Sequence, residues 1–198
     1  GAICLNLPAP FDNEALYKKL RQMSLNCQTK DAFSKSKAGG WRYDIVGFGM
    51  KINMADVNAA IGLAQIRQYD DLLQERKRVF ELYNNAFSKT DWAITPPQKQ
   101  GGRETSYHIY ALRIKSFTDE QRDAMIEEIA KKEVAVNVHF IPMPMLTFFK
   151  EMGYDINNYP QAYENYKSEI SLPIYPQLTD EQVNYVIDAV IEAYEKVK

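Results

Sequence analysis

The sequence has almost no cysteine, almost no histidine and no long apolar run. Two cysteines in 198 residues, Cys4 and Cys27, cannot build a disulfide framework and form no CxxC pair, which points to a reduced, cytoplasmic setting. Beside them stand only His108 and His139, too few ligands for a zinc site. No stretch approaches the roughly 18 apolar residues that span a bilayer, so no membrane partner is expected. A net charge of -2 leaves no general basic field to attract nucleic acid. The N-terminus, GAICLNLPAP, lacks the basic and long apolar segments of a signal peptide. It also lacks an initiator Met and opens in what reads as mid-strand, so a truncated or processed chain is expected. No Ser/His/Asp set, carboxylate pair or metal cluster stands out, and with 26 acidic residues chance pairs are unavoidable.

What is present fits one domain, or one domain with part of another. Residues 2–7 read as a short buried strand ended by Pro8 and Pro10. Asp12 or Asn13 caps a helix with Leu16, Leu20 and Met23 on one face. The polar stretch 29–40 reads as a loop. From 54 to 87 there is no proline and one glycine, which predicts one long helix or two joined by a kink. Its first half (AAIGLA) is apolar nearly all round, as in helices buried on several sides. Its second half (QERKRVFELYNN) is amphipathic, and the charges at 74–78 read as its solvated face. Residues 106–115 and 134–141 read as strands, 171–175 as a short extended segment and 160–169 as a helix. Two capping boxes, Thr118 with Gln121 and Thr179 with Gln182, open further helices. Leu178 and Val183 are placed as a hydrophobic staple for the second. That last helix carries the stripe Val183, Val186, Ile187, Val190 and Tyr194. Alternating helices and strands predict an α/β fold, a small sheet with helices packed on it.

The segment 41–66, WRYDIVGFGMKINMADVNAAIGLAQI, joins an aromatic, glycine-punctuated loop to the small-residue helix. It resembles the W-x-Y…G-Y-K-Y-N-M-T-D-I-x-A-A-x-G-x-x-Q-L loop and helix of the DegT/StrS sugar aminotransferases, which use pyridoxal 5'-phosphate and have fold type I. Other pieces resemble that family in the same order: GAICLNL, ERKRVFELYNNAF, SYHIYALRI, VNVHFIPMP and ISLPIYPQLTDEQVNYVIDAV. The resemblance covers essentially the whole chain and places it in the family's second half. It implies a remnant of the large cofactor-binding domain with its linking loop over 1–50. Over 51–198 it implies the long helix and a small C-terminal domain with a mainly antiparallel sheet. It also implies a homodimer with active sites at the subunit interface. The activity it implies is transfer of an amino group from glutamate to a keto nucleotide-sugar, in surface polysaccharide biosynthesis. The family's Schiff-base lysine falls upstream of the segment matched by Gly1, so the chain alone is expected to be inactive. A dehydratase of the same family, with His in place of that lysine, and a non-catalytic α/β dimerisation or binding module are the alternatives.

The resemblance assigns roles residue by residue. Asn53 matches the Asn of K-Y-N-M, whose amide reaches the cofactor phosphate of the partner subunit; the plainer reading is an Asn that satisfies loop backbone or caps the helix at Met54. Lys51 would add positive charge to the same anion, against the plainer reading of a solvated lysine. Trp41 and Tyr43 would line the sugar or nucleotide entrance, since aromatic rings stack on such faces; packing of the loop on its own domain is the alternative. His139 matches the V-H-Y-x-P strand and would hydrogen-bond substrate or a partner loop, or else be a core or rim histidine satisfied by backbone. The second His that the family often carries is Pro144 here, so a paired-His contact is not expected. Gly47 and Gly49 permit unusual backbone angles or close approach, without forming a GxGxxG.

Overall fold

A computed structural model describes residues 2–30 and 42–198. The chain divides into two compact units, Gly1–Ile66 and Arg67–Lys198. In the first, helix α1 (Asn13–Met23) starts where Asp12 accepts hydrogen bonds from the Glu14 and Ala15 amides, 3.0 Å each. The Asn13 side chain pairs with both backbone groups of Leu7 at 2.9 Å. The strand expected over 2–7 is absent, because no other strand among the described residues lies beside it and a strand needs a ladder partner. Helix α2 (Asp56–Arg67) follows, with no buried residue.

The second unit begins with α3 (Tyr69–Phe87), so the 54–87 pattern resolves into two helices separated at Gln68. Then come β1 (Ala93–Ile94), β2 (Lys99–Gln100), β3 (Arg103–Glu104), β4 (Tyr110–Ile114) and α4 (Asp119–Ala130). Short helices α5 (Thr147–Glu151) and α6 (Pro160–Tyr166) precede β5 (Glu169–Leu172) and the terminal α7 (Asp180–Val197). A three-stranded antiparallel sheet runs β1-β4-β5, with Tyr110 opposite Leu172 and Arg113 opposite Glu169. The separate β2–β3 hairpin turns at Gly101 and Gly102, both at positive φ, as two-residue hairpin turns require.

Residues 134–141 do not form the expected strand. Asn137 makes one two-way bridge to Ser171, 3.1 and 2.7 Å, and there the ladder stops. The next amides are diverted to side chains: Val138 donates to the Asn137 Oδ1 at 2.8 Å and His139 to Glu169 Oε2 at 3.0 Å. Side-chain acceptors of this kind compete with the ladder for backbone donors.

The core lies where β4 faces the helices. Tyr110, Leu112 and Ile114 are buried at alternate positions, against Phe80, Tyr83 and Phe87 of α3. Phe80 and Tyr83 each lie 4.9 Å from the Tyr110 ring, edge-on and tilted. Both capping boxes form as expected, and Leu178 and Val183 are both buried. Of the α7 stripe, four residues are buried and Tyr194 stacks on Trp92 at 4.2 Å.

The solvated face expected at 74–78 is partly a set of anchors. Arg76 donates to the Ile174 carbonyl at 2.8 Å, and Arg78 donates to the Leu178 carbonyl and to Asp180. Together they hold the 174–180 connection on α3. Guanidinium groups supply several donors in a fixed fork, which suits capture of loop carbonyls.

The hydroxyl of Tyr83 donates to the Pro173 carbonyl at 2.9 Å and that of Tyr110 to Asn84 Oδ1 at 2.8 Å. Burial, then the neighbouring Tyr175, pushes Tyr83 well above the ordinary tyrosine range, and burial, then Tyr83, does the same to Tyr110. The unfolded chain loses these protons first, near the ordinary value of about 10. Stability is therefore complete below that pH and falls above it; urea midpoints should drop on the alkaline side, and Tyr110→Phe should flatten the drop. Thr179→Ala should cost about 1 kcal/mol in a urea titration, since it removes the cap of a helix that fills the core.

Candidate functional site

The segment carrying most of the expected site residues is held by the turn that ends α1. Backbone bonds run Met50 to Met23 (2.8 Å), Asn26 to Met50 (3.1 Å), Ile52 to Ser24 (2.9 Å), Val46 to Cys27 (3.1 Å) and Thr29 to Asp44 (2.9 Å). Antiparallel bridges pair Leu25 with Lys51 and Gln28 with Ile45. The Cys27 thiol donates to the Phe48 carbonyl at 3.1 Å. Gly49 lies at the tightest point: a Cβ there would sit 2.5 Å from the Cys27 nitrogen and 2.7 Å from the Met23 oxygen. Of the two readings of these glycines, close approach applies to Gly49, and the surface approached is the chain's own backbone.

This zipper fixes Lys51 and delivers Asn53 into the short stretch before α2. Both are exposed. Asn53 stands three residues ahead of the helix start at Asp56, and its side chain makes no hydrogen bond among the described residues. Tyr43 lies just beyond the other end of the zipper, 51% exposed. Trp41 lies outside the described residues, as does the 29–40 loop from residue 31 onward. The first unit therefore carries Lys51, Asn53 and Tyr43 on one segment, and the second unit carries His139.

His139 is half-buried between two clefts. One, of about 400 Å³, is lined by Arg113, Phe140, Asn165, Tyr166 and Glu169; the other, of about 490 Å³, by His108, Asn137 and Ser171 among others. Its Nδ1 lies 2.8 Å from Ser171 Oγ, and Ser171 in turn donates to Glu169 Oε1. Glu169 is only 5% exposed. Burial pushes its carboxyl upward, while hydrogen bonds from Ser171 and the His139 amide, and then the charges of His139 and Arg122, pull the other way. Arg122, fully buried on α4, donates to the Tyr166 carbonyl at 2.7 Å and lies over that residue's ring.

Glu169, Ser171 and Arg122 were not among the expected site residues. The signal for the first two is present in the alternation E-I-S-L, which places two polar side chains on one face of a strand whose other face, Ile170 and Leu172, enters the core. Arg122 carries no such signal, since charged residues in a capped helix read as solvent-facing.

A model of the DegT/DnrJ/EryC1/StrS aminotransferase family matches residues 10–191. The spore coat polysaccharide biosynthesis protein SpsC of Bacillus subtilis is 34% identical over 183 residues, covering 90% of this chain and 47% of SpsC. The UDP-4-amino-4,6-dideoxy-N-acetyl-beta-L-altrosamine transaminase of Campylobacter jejuni is 25% identical over 187 residues, 94% of this chain and 47% of that protein. Among solved structures, a candidate sugar aminotransferase of Streptococcus pneumoniae, Spr1654, in its PMP form, superposes with a TM-score of 0.90 at 39% identity, over 97% of this chain and 48% of that one. The chain thus spans about half the length of the relatives it matches. With an antiparallel sheet and helices that match fold type I aminotransferases, and a family model covering most of its length, the chain belongs to the DegT/DnrJ/EryC1/StrS aminotransferase family.

Proposed function

We propose that this chain is the C-terminal part of a pyridoxal-phosphate-dependent aminotransferase that moves an amino group from glutamate to a keto nucleotide-sugar for surface polysaccharide assembly. The likeness to the Streptococcus sugar aminotransferase, also solved in a PLP form, is the observation that carries this reading. The polysaccharide setting draws on the name of SpsC, and the nucleotide-sugar on that of the Campylobacter transaminase. When bound, pyridoxal phosphate supplies the electron sink for amino transfer.

The residues of this chain fit the phosphate end of that group. Lys51 offers an ammonium and Asn53 an unpartnered amide, both donors, two residues apart on a segment that backbone bonds hold in place. Such donors position a phosphate oxygen without needing to titrate. In the working enzyme they serve the partner subunit's cofactor in a cytoplasmic homodimer; Trp41 and Tyr43 line a sugar or nucleotide entrance, and His139 contacts substrate. Helix α2 supports a subunit contact: Val57 and Ile66 are each 71% exposed, and Ile61 and Leu63 are exposed beside them. Apolar surface of this density on a soluble domain is normally covered by another protein surface. Residues 1–50 are the tail of the large cofactor-binding domain with its linking loop, and 51–198 the long helix and the small C-terminal domain.

Two measurements test the reading. The 198-residue chain, mixed with pyridoxal phosphate, glutamate and a UDP-linked keto-sugar, should show neither a protein-bound visible absorbance nor transamination; either signal would overturn the view that it is part of a larger active unit. In the longer enzyme, Asn53→Ala should weaken cofactor binding by about ten- to a hundredfold, the worth of one hydrogen bond to a charged oxygen. Unchanged affinity by absorbance titration would remove Asn53 from the site.

A further inference from the structure

The contacts around His139 decide which of its ring nitrogens carries the proton. As a carboxylate Glu169 can only accept, so the single hydroxyl proton of Ser171 goes to Glu169 Oε1. Glu169 Oε2 is occupied by the His139 amide at 3.0 Å. With its one proton committed, the Ser171 oxygen has only lone pairs to offer, so His139 Nδ1, 2.8 Å away, must be the donor. The second ring nitrogen, Nε2, has no hydrogen-bond partner among the described residues. The state of a histidine's free nitrogen follows from the bond made by the other.

We propose that Glu169 and Ser171 are positioning residues that hold His139 in its Nδ1–H form and leave Nε2 as a hydrogen-bond acceptor at the clefts, set to receive a hydroxyl or N–H of a bound sugar. The sugar rests on the function proposed above; the tautomer does not. Burial, the largest influence, pushes the Glu169 carboxyl upward, while the hydrogen bonds from Ser171 and the His139 amide, then the charges of His139 and Arg122, favour the carboxylate that the relay requires; Arg113 stands opposite it on β4. The relay also depends on the register of β5. Glu169 and Ser171 share a face only because they are two residues apart on one strand, and the Asn137–Ser171 bridge brings the 137–139 segment alongside them. Were Glu169 protonated, its hydroxyl would donate to Ser171, Ser171 to Nδ1, and Nε2 would become a donor. One carboxyl proton thus inverts the polarity that the histidine presents to a ligand.

Long-range proton–nitrogen correlation spectra of the ¹⁵N-labelled 198-residue chain read the tautomer directly. The chain holds only two histidines, and His108→Asn assigns the His139 signals. At a pH about 1.5 units above the ordinary histidine value of about 6.5, Nδ1 should resonate as a protonated nitrogen and Nε2 as a bare one. An Nε2–H signal there would overturn the proposal. Ser171→Ala should lower the ratio of Nδ1–H to Nε2–H by about tenfold, the equivalent of one hydrogen bond. An unchanged ratio in the folded variant would remove Ser171 and Glu169 from the role. Should that variant fail to fold, the unmodified chain still decides the tautomer. Neither reading uses cofactor, sugar or activity, so a failed relay and a failed aminotransferase assignment are told apart.

Discussion

The pairing of β4 with β5 is the constraint on which the second unit depends. In the observed register the inward residues of both strands, Tyr110, Leu112, Ile170 and Leu172, meet the aromatic face of α3 and the apolar faces of α4 and α7. The same register sends Arg113, Glu169 and Ser171 to the opposite side, where His139 lies. A shift of one residue would place a carboxylate in the core and two large aliphatic side chains at the clefts. Core and site are therefore one decision, made by a ladder of four residue pairs. The burial of each of the four large inward side chains is worth about 1.5–3 kcal/mol, so together they outweigh any one polar contact on the far face. The apolar side sets the register, and the polar side inherits its geometry.

Much of this was legible in the sequence because it is local. The two capping boxes, the Asp12 cap and the α7 stripe involve neighbours at most a few positions apart, and all of them form, while both residues of the expected staple are buried. What the sequence hid is non-local. The 134–141 segment has the composition of a strand, but its ladder is cut off after one bridge by acceptors at Asn137 and Glu169. The second of these is thirty residues away. Residues 2–7 have the composition of a strand, and no strand lies beside them among the described residues. Arg76 and Arg78 read as solvated, since nothing within α3 shows that the carbonyls of a connection about a hundred residues later will come to rest on them. The candidate site divides the same way. Lys51, Asn53, Tyr43 and His139 came from a family pattern, whereas the partners that give His139 its chemistry come from register alone.

The two units also differ in how they satisfy their apolar residues. The second encloses a continuous core within its own elements, aromatic on the α3 side and aliphatic on the α7 side. The first has a single buried apolar residue among those described, Cys27, and it presents the apolar side chains of α2 outward. Its order rests instead on backbone bonds between the end of α1 and the segment 44–52. Backbone zippering holds a segment in place without needing a core beneath it, so a sequence rich in exposed aliphatic and aromatic residues can still present defined positions at 51 and 53.

The close fit at Gly49 has a consequence for how tolerance to mutation is interpreted along that segment. Position 49 accepts no side chain because the chain's own backbone occupies the space. Position 53 is exposed, and its side chain makes no hydrogen bond among the described residues. Under the role proposed for Asn53, a survey of accepted substitutions over 44–55 would show both positions as sensitive, yet for opposite reasons. Sensitivity at 49 would persist in any assay that reports folding, while the role proposed for Asn53 would register only where a second molecule is present.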